Sequence, residues 1–123
     1  MKFEITRPEI HPKAWGSEKW LINNDKFCGK ILYINKGAKF SGHFHDLKEE
    51  IQFCYKGALI LRYIDKNNGK LLENNINVGD IINIPRLQVH QLEALENSEI
   101  FEVSTTHWES DSYRVFPGDS QNK

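Results

Sequence analysis

His43 and His45 stand two residues apart in GAKFSGHFHDLKEE, residues 37–50, a stretch that ends in Glu49 and Glu50. On a β-strand that spacing turns both imidazoles to one face, close enough to share an ion, and turns Phe44 to the other. An acidic residue at the turn that follows can swing in as a third ligand, and His90, in IPRLQVHQLEAL, offers a fourth from far along the chain. Neutral imidazoles with one carboxylate oxygen suit a single divalent transition metal ion: Zn, Mn, Fe, Ni or Co. Taken alone, a His-x-His pair reads as a solvated strand end, so the elements that would carry these residues decide its meaning.

Those elements are short apolar runs punctuated by Gly, Asn and Pro. KWLIN, CGKILYI, IQFCY, ALILRYID, GKLLE, DIINIP, VHQLEAL and EIFEVST read as strands, because β-branched and aromatic residues recur over four to eight positions. Their spacing predicts an all-β barrel or sandwich. DKNNGK and NVGDI are turns, and no helix longer than a turn or two is expected. The 123 residues form one domain, with a core over about residues 20–106, an N-terminal arm 1–19 and a C-terminal tail 107–123 whose polar end, GDSQNK, is frayed.

Sixteen basic against seventeen acidic residues give no charge imbalance, and no basic block or arginine-aromatic stripe points to nucleic acid. A small molecule is the expected partner. No apolar run is long enough for a membrane span or a signal peptide, which predicts a cytoplasmic protein. Cys28 and Cys54 match no CxxC spacing and lie inside apolar runs, so both read as buried free thiols.

Gly37, His43, Phe44, His45, Glu50 and Gly57 reproduce the first motif of the cupin superfamily at every named position, and Gly79, Pro85 and His90 follow as the second. The resemblance implies an all-β jelly-roll barrel, the double-stranded β-helix, with a metal ion held by His43, His45, Glu50 and His90. It also chooses between the glutamates: Glu50 fits the ligand position relative to Gly57, and Glu49 fits only a shorter variant of the motif. Glu49 is then a solvated strand-start residue or a partner that orients an imidazole. Two positions depart from the pattern. Leu87 stands where the family has a glycine, which questions the usual positive-φ turn, and Ala94 stands where it has an asparagine.

The flanks AWGSEKWLINNDKFCGKILYINKGAKFSGHFH and FEVSTTHWESDSYRVFPGD resemble those of small single-domain cupins related to type II mannose-6-phosphate isomerases. That resemblance implies a carbohydrate-type substrate and aldose–ketose isomerisation, in which a metal polarises the carbonyl while a general base moves a proton between neighbouring carbons. The candidate bases are Glu49, Glu102 and His107. Glu102, charged between apolar neighbours, reads first as the solvent face of an edge strand, and His107 as an exposed loop residue. His11 has no comparable argument.

Alternation from Glu50 points Gln52 and Cys54 inward, where Gln52 meets a metal-bound water, a substrate or simply its packing neighbours. Arg86, before His90, and Arg62, either inward or at the rim, are candidates for an anionic substrate group, ahead of Lys13, Lys39 and Arg114. Tyr63 and Trp20 offer either stacking faces or core packing. The competing readings are an Fe- or Mn-dependent oxygenase, an enzyme that opens a sugar-acid ring, and a non-catalytic metal- or sugar-binding module. A homodimer is expected, with KWLIN and MKFEI as pairing edges.

Overall fold

Apolar residues alternate along the strands so that one face of each sheet closes over the other. The computed structural model describes residues 2–121 and contains, among them, eleven strands and no helix. They are β1 (Glu9–Lys13), β2 (Gly16–Asn23), β3 (Cys28–Ile34), β4 (Gly42–Phe44), β5 (Glu50–Lys56), β6 (Ala58–Ile64), β7 (Leu71–Asn77), β8 (Ile81–Ile84), β9 (His90–Ala94), β10 (Ser98–Ser104) and β11 (Tyr113–Phe116). A six-stranded sheet runs β1-β2-β3-β10-β5-β8 and faces a five-stranded sheet in the order β11-β4-β9-β6-β7. All pairings are antiparallel. Ile34, Leu59, Leu92 and Ile100 are fully buried between the sheets, and Trp15 and Phe40 pack edge to face beside them. This is the expected all-β jelly roll.

Two turns fix the register around the site. Gly57, between β5 and β6, has φ 94°, and a Cβ there would lie 2.2 Å from Ser98 Oγ, so only glycine fits. Leu87 also sits at positive φ, 67°. The turn that the sequence put in doubt is kept without its glycine, at a cost of about 1–2 kcal/mol for a left-handed L-residue. The Leu87 amide donates to the His45 carbonyl at 2.8 Å, which ties that turn to the end of β4.

Several expectations are corrected at the ends of the chain. Residues 9–13 and 16–23, assigned mostly to an arm, are paired strands of the six-stranded sheet. β1 covers Lys19 and Trp20 of KWLIN, while residues 21–23 run past the end of β1, with Ile22 and Asn23 paired to β3 alone. Residues 2–5 of MKFEI form no strand, and Met1 lies outside the described residues. The tail folds back: β11 pairs with β4, and Asp119 accepts the Lys39 amide at 2.9 Å through its carboxylate while its own amide donates to the Lys39 carbonyl. Of the end expected to fray, residues 118–121 are ordered by such bonds, and 122–123 lie outside the described residues. Among the described residues no helix is long and apolar enough to cross a membrane. Cys28 and Cys54 are buried free thiols.

Candidate metal centre

β4 and β9 are neighbours, and their register places His43 directly opposite His90. His45 lies just past the end of β4 on the same face. One ring nitrogen from each of the three lies within 4.8 Å of the others. Their remaining nitrogens are all engaged by main-chain carbonyls: His43 Nδ1 with Ser41 at 2.8 Å, His45 Nδ1 with Asp111 at 2.6 Å and His90 Nδ1 with Gln88 at 2.9 Å. A carbonyl only accepts, so each Nδ1 carries the proton and each Nε2 is left with a lone pair. Backbone groups thus fix the tautomer and aim three donors at one point.

Glu50 arrives from the opposite sheet. Its Oε1 is 2.9 Å from His90 Nε2 and 3.8 Å from His45 Nε2, while its Oε2 is 3.4 Å from Lys48 Nζ. Glu50 Oε1 and His90 Nε2 are both buried without a hydrogen-bond partner, since their approach lacks the alignment of one. Buried polar atoms are costly when unmatched. Three convergent imidazole lone pairs and one orphaned carboxylate oxygen fit a divalent transition metal ion. Burial, then His90 and His45 nearby, pushes the His43 pKa down to about 3. Burial works against the Glu50 charge, but Lys48 and His90 hold its pKa well below the usual carboxylate range. Both shifts keep the donors in ligating form.

A polar row crosses the inner face of the six-stranded sheet beside this cluster: Trp20, Lys30, Glu102 and Gln52 are successive cross-strand partners. Gln52 Nε2 donates to Glu102 Oε1 at 3.1 Å, and Gln52 Oε1 is buried without a partner. Lys48 Nζ joins Glu102 (3.3 Å), Glu50 and His107 Nδ1 (3.4 Å). Lys30 pairs with Glu18 at 3.4 Å. Burial, and then the nearby Glu50 charge, raise the pKa of Glu102. Burial, with Lys30 and Lys48 beside it, pushes His107 down to about 3. These groups line one cavity of about 300 Å³ together with His43, His45 and Glu50; His90, 1% exposed, lies behind them.

The structure redistributes the remaining candidates. Glu102, expected on the solvent face, is 4% exposed and faces the cavity. His107, expected in an exposed loop, lines it too, its main chain held by Asn23. Glu49 points out of the barrel and pairs with Arg86, which also donates to the Leu47 carbonyl at 2.9 Å; neither reaches the cavity. Arg62 lies on the outer face of the five-stranded sheet, bound to Glu73 (3.0 Å) and Glu93 (2.7 Å), because the inward positions of β6 belong to Leu59 and Leu61. Tyr63 packs against the core, and Cys54 lies within it. Trp20 lines the cavity, but His11 stacks on its ring at 4.1 Å and Lys30 sits over it at 4.3 Å, so it offers no open face to a sugar.

Two important residues escaped the sequence reading. Lys48 is two residues before Glu50, and extending the alternation of β5 would have found it. Asp111 carried no signal: its carboxylate accepts the amides of Asp46, Leu47 and Lys48 at 2.8–3.2 Å, and its carbonyl orients His45.

The fold is shared with larger proteins of known structure. Oxalate decarboxylase from Bacillus subtilis superposes with a TM-score of 0.75 at 15% identity, over 88% of this chain and 30% of its own. The capsular polysaccharide assembling protein CapF from Staphylococcus aureus superposes with a TM-score of 0.75 at 17% identity, over 91% of this chain and 33% of its own. This chain thus spans about a third of either protein. Among curated proteins there is no significant match. A family model described as Cupin matches residues 12–116, and the chain therefore belongs to the cupin family.

Proposed function

We propose that this chain is a metal-dependent enzyme that isomerises a sugar or sugar phosphate between aldose and ketose forms. The observation that carries the reading is the shared cavity: a buried carboxylate with a raised pKa, Glu102, lines it with His43, His45 and Glu50 and is bridged to Glu50 by Lys48. His43, His45, His90 and Glu50 would hold the ion. When bound, it supplies Lewis acidity for a carbonyl and the adjacent hydroxyl. The Mn(II) centres named for oxalate decarboxylase make manganese the first metal to try, and the likeness to a capsular polysaccharide protein is consistent with a carbohydrate.

Glu102, as the carboxylate, takes the proton from the hydroxyl-bearing carbon next to the carbonyl. It returns that proton to the carbonyl carbon, so the acid is regenerated as base in one cycle. A carboxyl group raised toward neutrality is suited to both halves of this exchange. The second proton moves between the two oxygens, and neutral His107, tethered to Lys48, is placed to carry it. Gln52 Oε1, buried and unpartnered, accepts a substrate hydroxyl.

The test is the manganese-loaded protein with mannose 6-phosphate, and then other hexose and pentose phosphates, in deuterated water. Deuterium at the carbon next to the carbonyl, with interconversion of aldose and ketose, is the expected result, and Glu102→Gln should slow both by about 100-fold or more. A fully metal-loaded protein that neither exchanges nor converts any of these sugars would remove the isomerase reading.

A further inference from the structure

The cationic side chains of the cavity fall into two groups. Lys30 and Lys48 are buried and engaged, the first by Glu18 and the second by Glu50 and Glu102. Lys13, at the end of β1, and Arg114, in β11, line the same cavity, are exposed, and have no carboxylate within ion-pair distance among the described residues. β1 is the outermost strand of one sheet and β11 of the other, so the two cations belong to opposite walls. Ser112, Ser120 and Gln121 share their rim. Ser120 Oγ accepts the Ala14 amide at 3.3 Å, which leaves its hydroxyl hydrogen free to donate. The acidic member of the rim is Glu109, an exposed side chain 3.7 Å from His107.

Charge is therefore sorted by depth. Inside, Glu18, Glu50 and Glu102 outnumber Lys30 and Lys48, so no protein cation is left to receive an anion there. At the rim, Lys13 and Arg114 outnumber Glu109. In the interior the side-chain cations are already engaged and the metal ion would take the carbonyl end, whereas at the rim an anionic group meets a guanidinium fork and an ammonium with hydroxyl donors nearby.

We propose that this rim is a docking site for a phosphoryl group on the substrate, with Lys13 and Arg114 closing on it from the two sheets while the carbonyl end lies by the histidines. The proposal rests on the sugar reading above and names the substrate as a phosphorylated sugar, gripped at the mouth and not by Arg62 or Arg86. Because the pair is exposed, its grip is screened by salt.

Calorimetric titration of the manganese-loaded chain tests it, with mannose 6-phosphate, mannose, UDP-mannose and inorganic pyrophosphate as probes. The variant is the double substitution Lys13→Glu, Arg114→Glu, checked for unchanged manganese stoichiometry. The wild type should bind mannose 6-phosphate at least tenfold more tightly than mannose, the variant should lose that preference, and its affinity for mannose should be unchanged. Tighter binding of UDP-mannose than of mannose 6-phosphate would assign the phosphoryl group to a nucleotide sugar, and the reverse to a sugar monophosphate. A preference for the phosphorylated sugar that survives in the variant overturns the docking site and leaves the isomerase reading intact. Pyrophosphate binding that the variant loses, without binding of any sugar, keeps the anion site and sinks the sugar reading. No binding of any probe by the wild type overturns both.

Discussion

The inner face of the six-stranded sheet is dry at one end and charged at the other, along the same strands. Inward from Lys30 on β3 come Leu32 and Ile34; Glu102 shares β10 with Ile100, and Gln52 shares β5 with Cys54. Residues at both ends are buried alike: Ile100 is 0% and Gln52 2% exposed. Their energetics are opposite. Apolar burial at the dry end stabilises by about 25 cal/mol per Å², whereas each buried charge at the other end is a cost that only a well-placed partner offsets. The dry end holds the fold, and the charged end is kept ready for a ligand at the fold's expense.

The largest effects should therefore come from the dry end. Ile100→Ala is expected to lower the unfolding free energy by about 2–5 kcal/mol in denaturant titration, with metal stoichiometry unchanged in the folded protein. A loss below about 1 kcal/mol would break the contrast between the two ends.

Asp111 sharpens it from the other side. Asp111→Ala removes the acceptor of three loop amides and loosens the carbonyl that orients His45, so metal affinity should weaken by about 10–100-fold. Asp111→Asn, which keeps the shape and one acceptor, should recover part of that loss. Equal metal affinity in all three proteins would show that the tail does not position the ligand.

The charged end should also set the acid limb of stability. In the metal-free protein His43 and His107 have folded pKa values of about 3 against an unfolded value near 6.5. Between those values the unfolded chain takes up protons that the folded one refuses. Stability is then lost as pH falls below about 6.5, by up to about 1.4 kcal/mol per pH unit for each imidazole. Glu50, depressed in the folded state, adds a loss of the same sign when it protonates. His90 and Glu102, both raised, act in the opposite sense. Thermal unfolding of the metal-free protein from pH 7 to pH 4 should show a falling Tm; a flat or rising one contradicts the assignment.

The smallest effect is expected at Glu102. Its ionised form is disfavoured in the fold, and Lys48 keeps Glu50 as a partner when it is replaced, so Glu102→Gln should cost less stability at neutral pH than Ile100→Ala does in the same denaturant titration. Isomerase activity should fall all the same. A loss as large as that of Ile100→Ala would mean that Glu102 belongs to the structure and not to the chemistry.

Much of this was legible in the sequence where local rules suffice. The strand runs CGKILYI and ALILRYID point to an all-β fold, while the HxH pair, the spacing of Glu50 from Gly57 and the later Gly79, Pro85 and His90 carry the cupin resemblance and the four ligands it implies. Facing was legible only where one side of a strand is plainly apolar. On β10 the alternation is inverted near the cavity, with Val103 exposed and Glu102 inside, and on β5 Ile51 is likewise exposed and Gln52 inside. The ordinary rule of apolar residues inside therefore sent Glu102 outward. Arg62 and Arg86 look poised for an anion in one dimension, but their partners Glu73, Glu93 and Glu49 occupy them in three. Asp111 lies 66 positions from the histidine it orients, and nothing local marks it.

We infer that His43, His45, His90 and Glu50 hold one transition metal ion. The most direct test is elemental analysis of the full chain, purified without a histidine tag, before and after reconstitution with manganese, beside His45→Ala and Glu50→Gln. About one equivalent of a transition metal in the wild type, lost in His45→Ala and weakened in Glu50→Gln, is the predicted result. No bound metal in the wild type after reconstitution would contradict the account, because the three aimed imidazoles and the orphaned oxygen would then have no ligand to explain them.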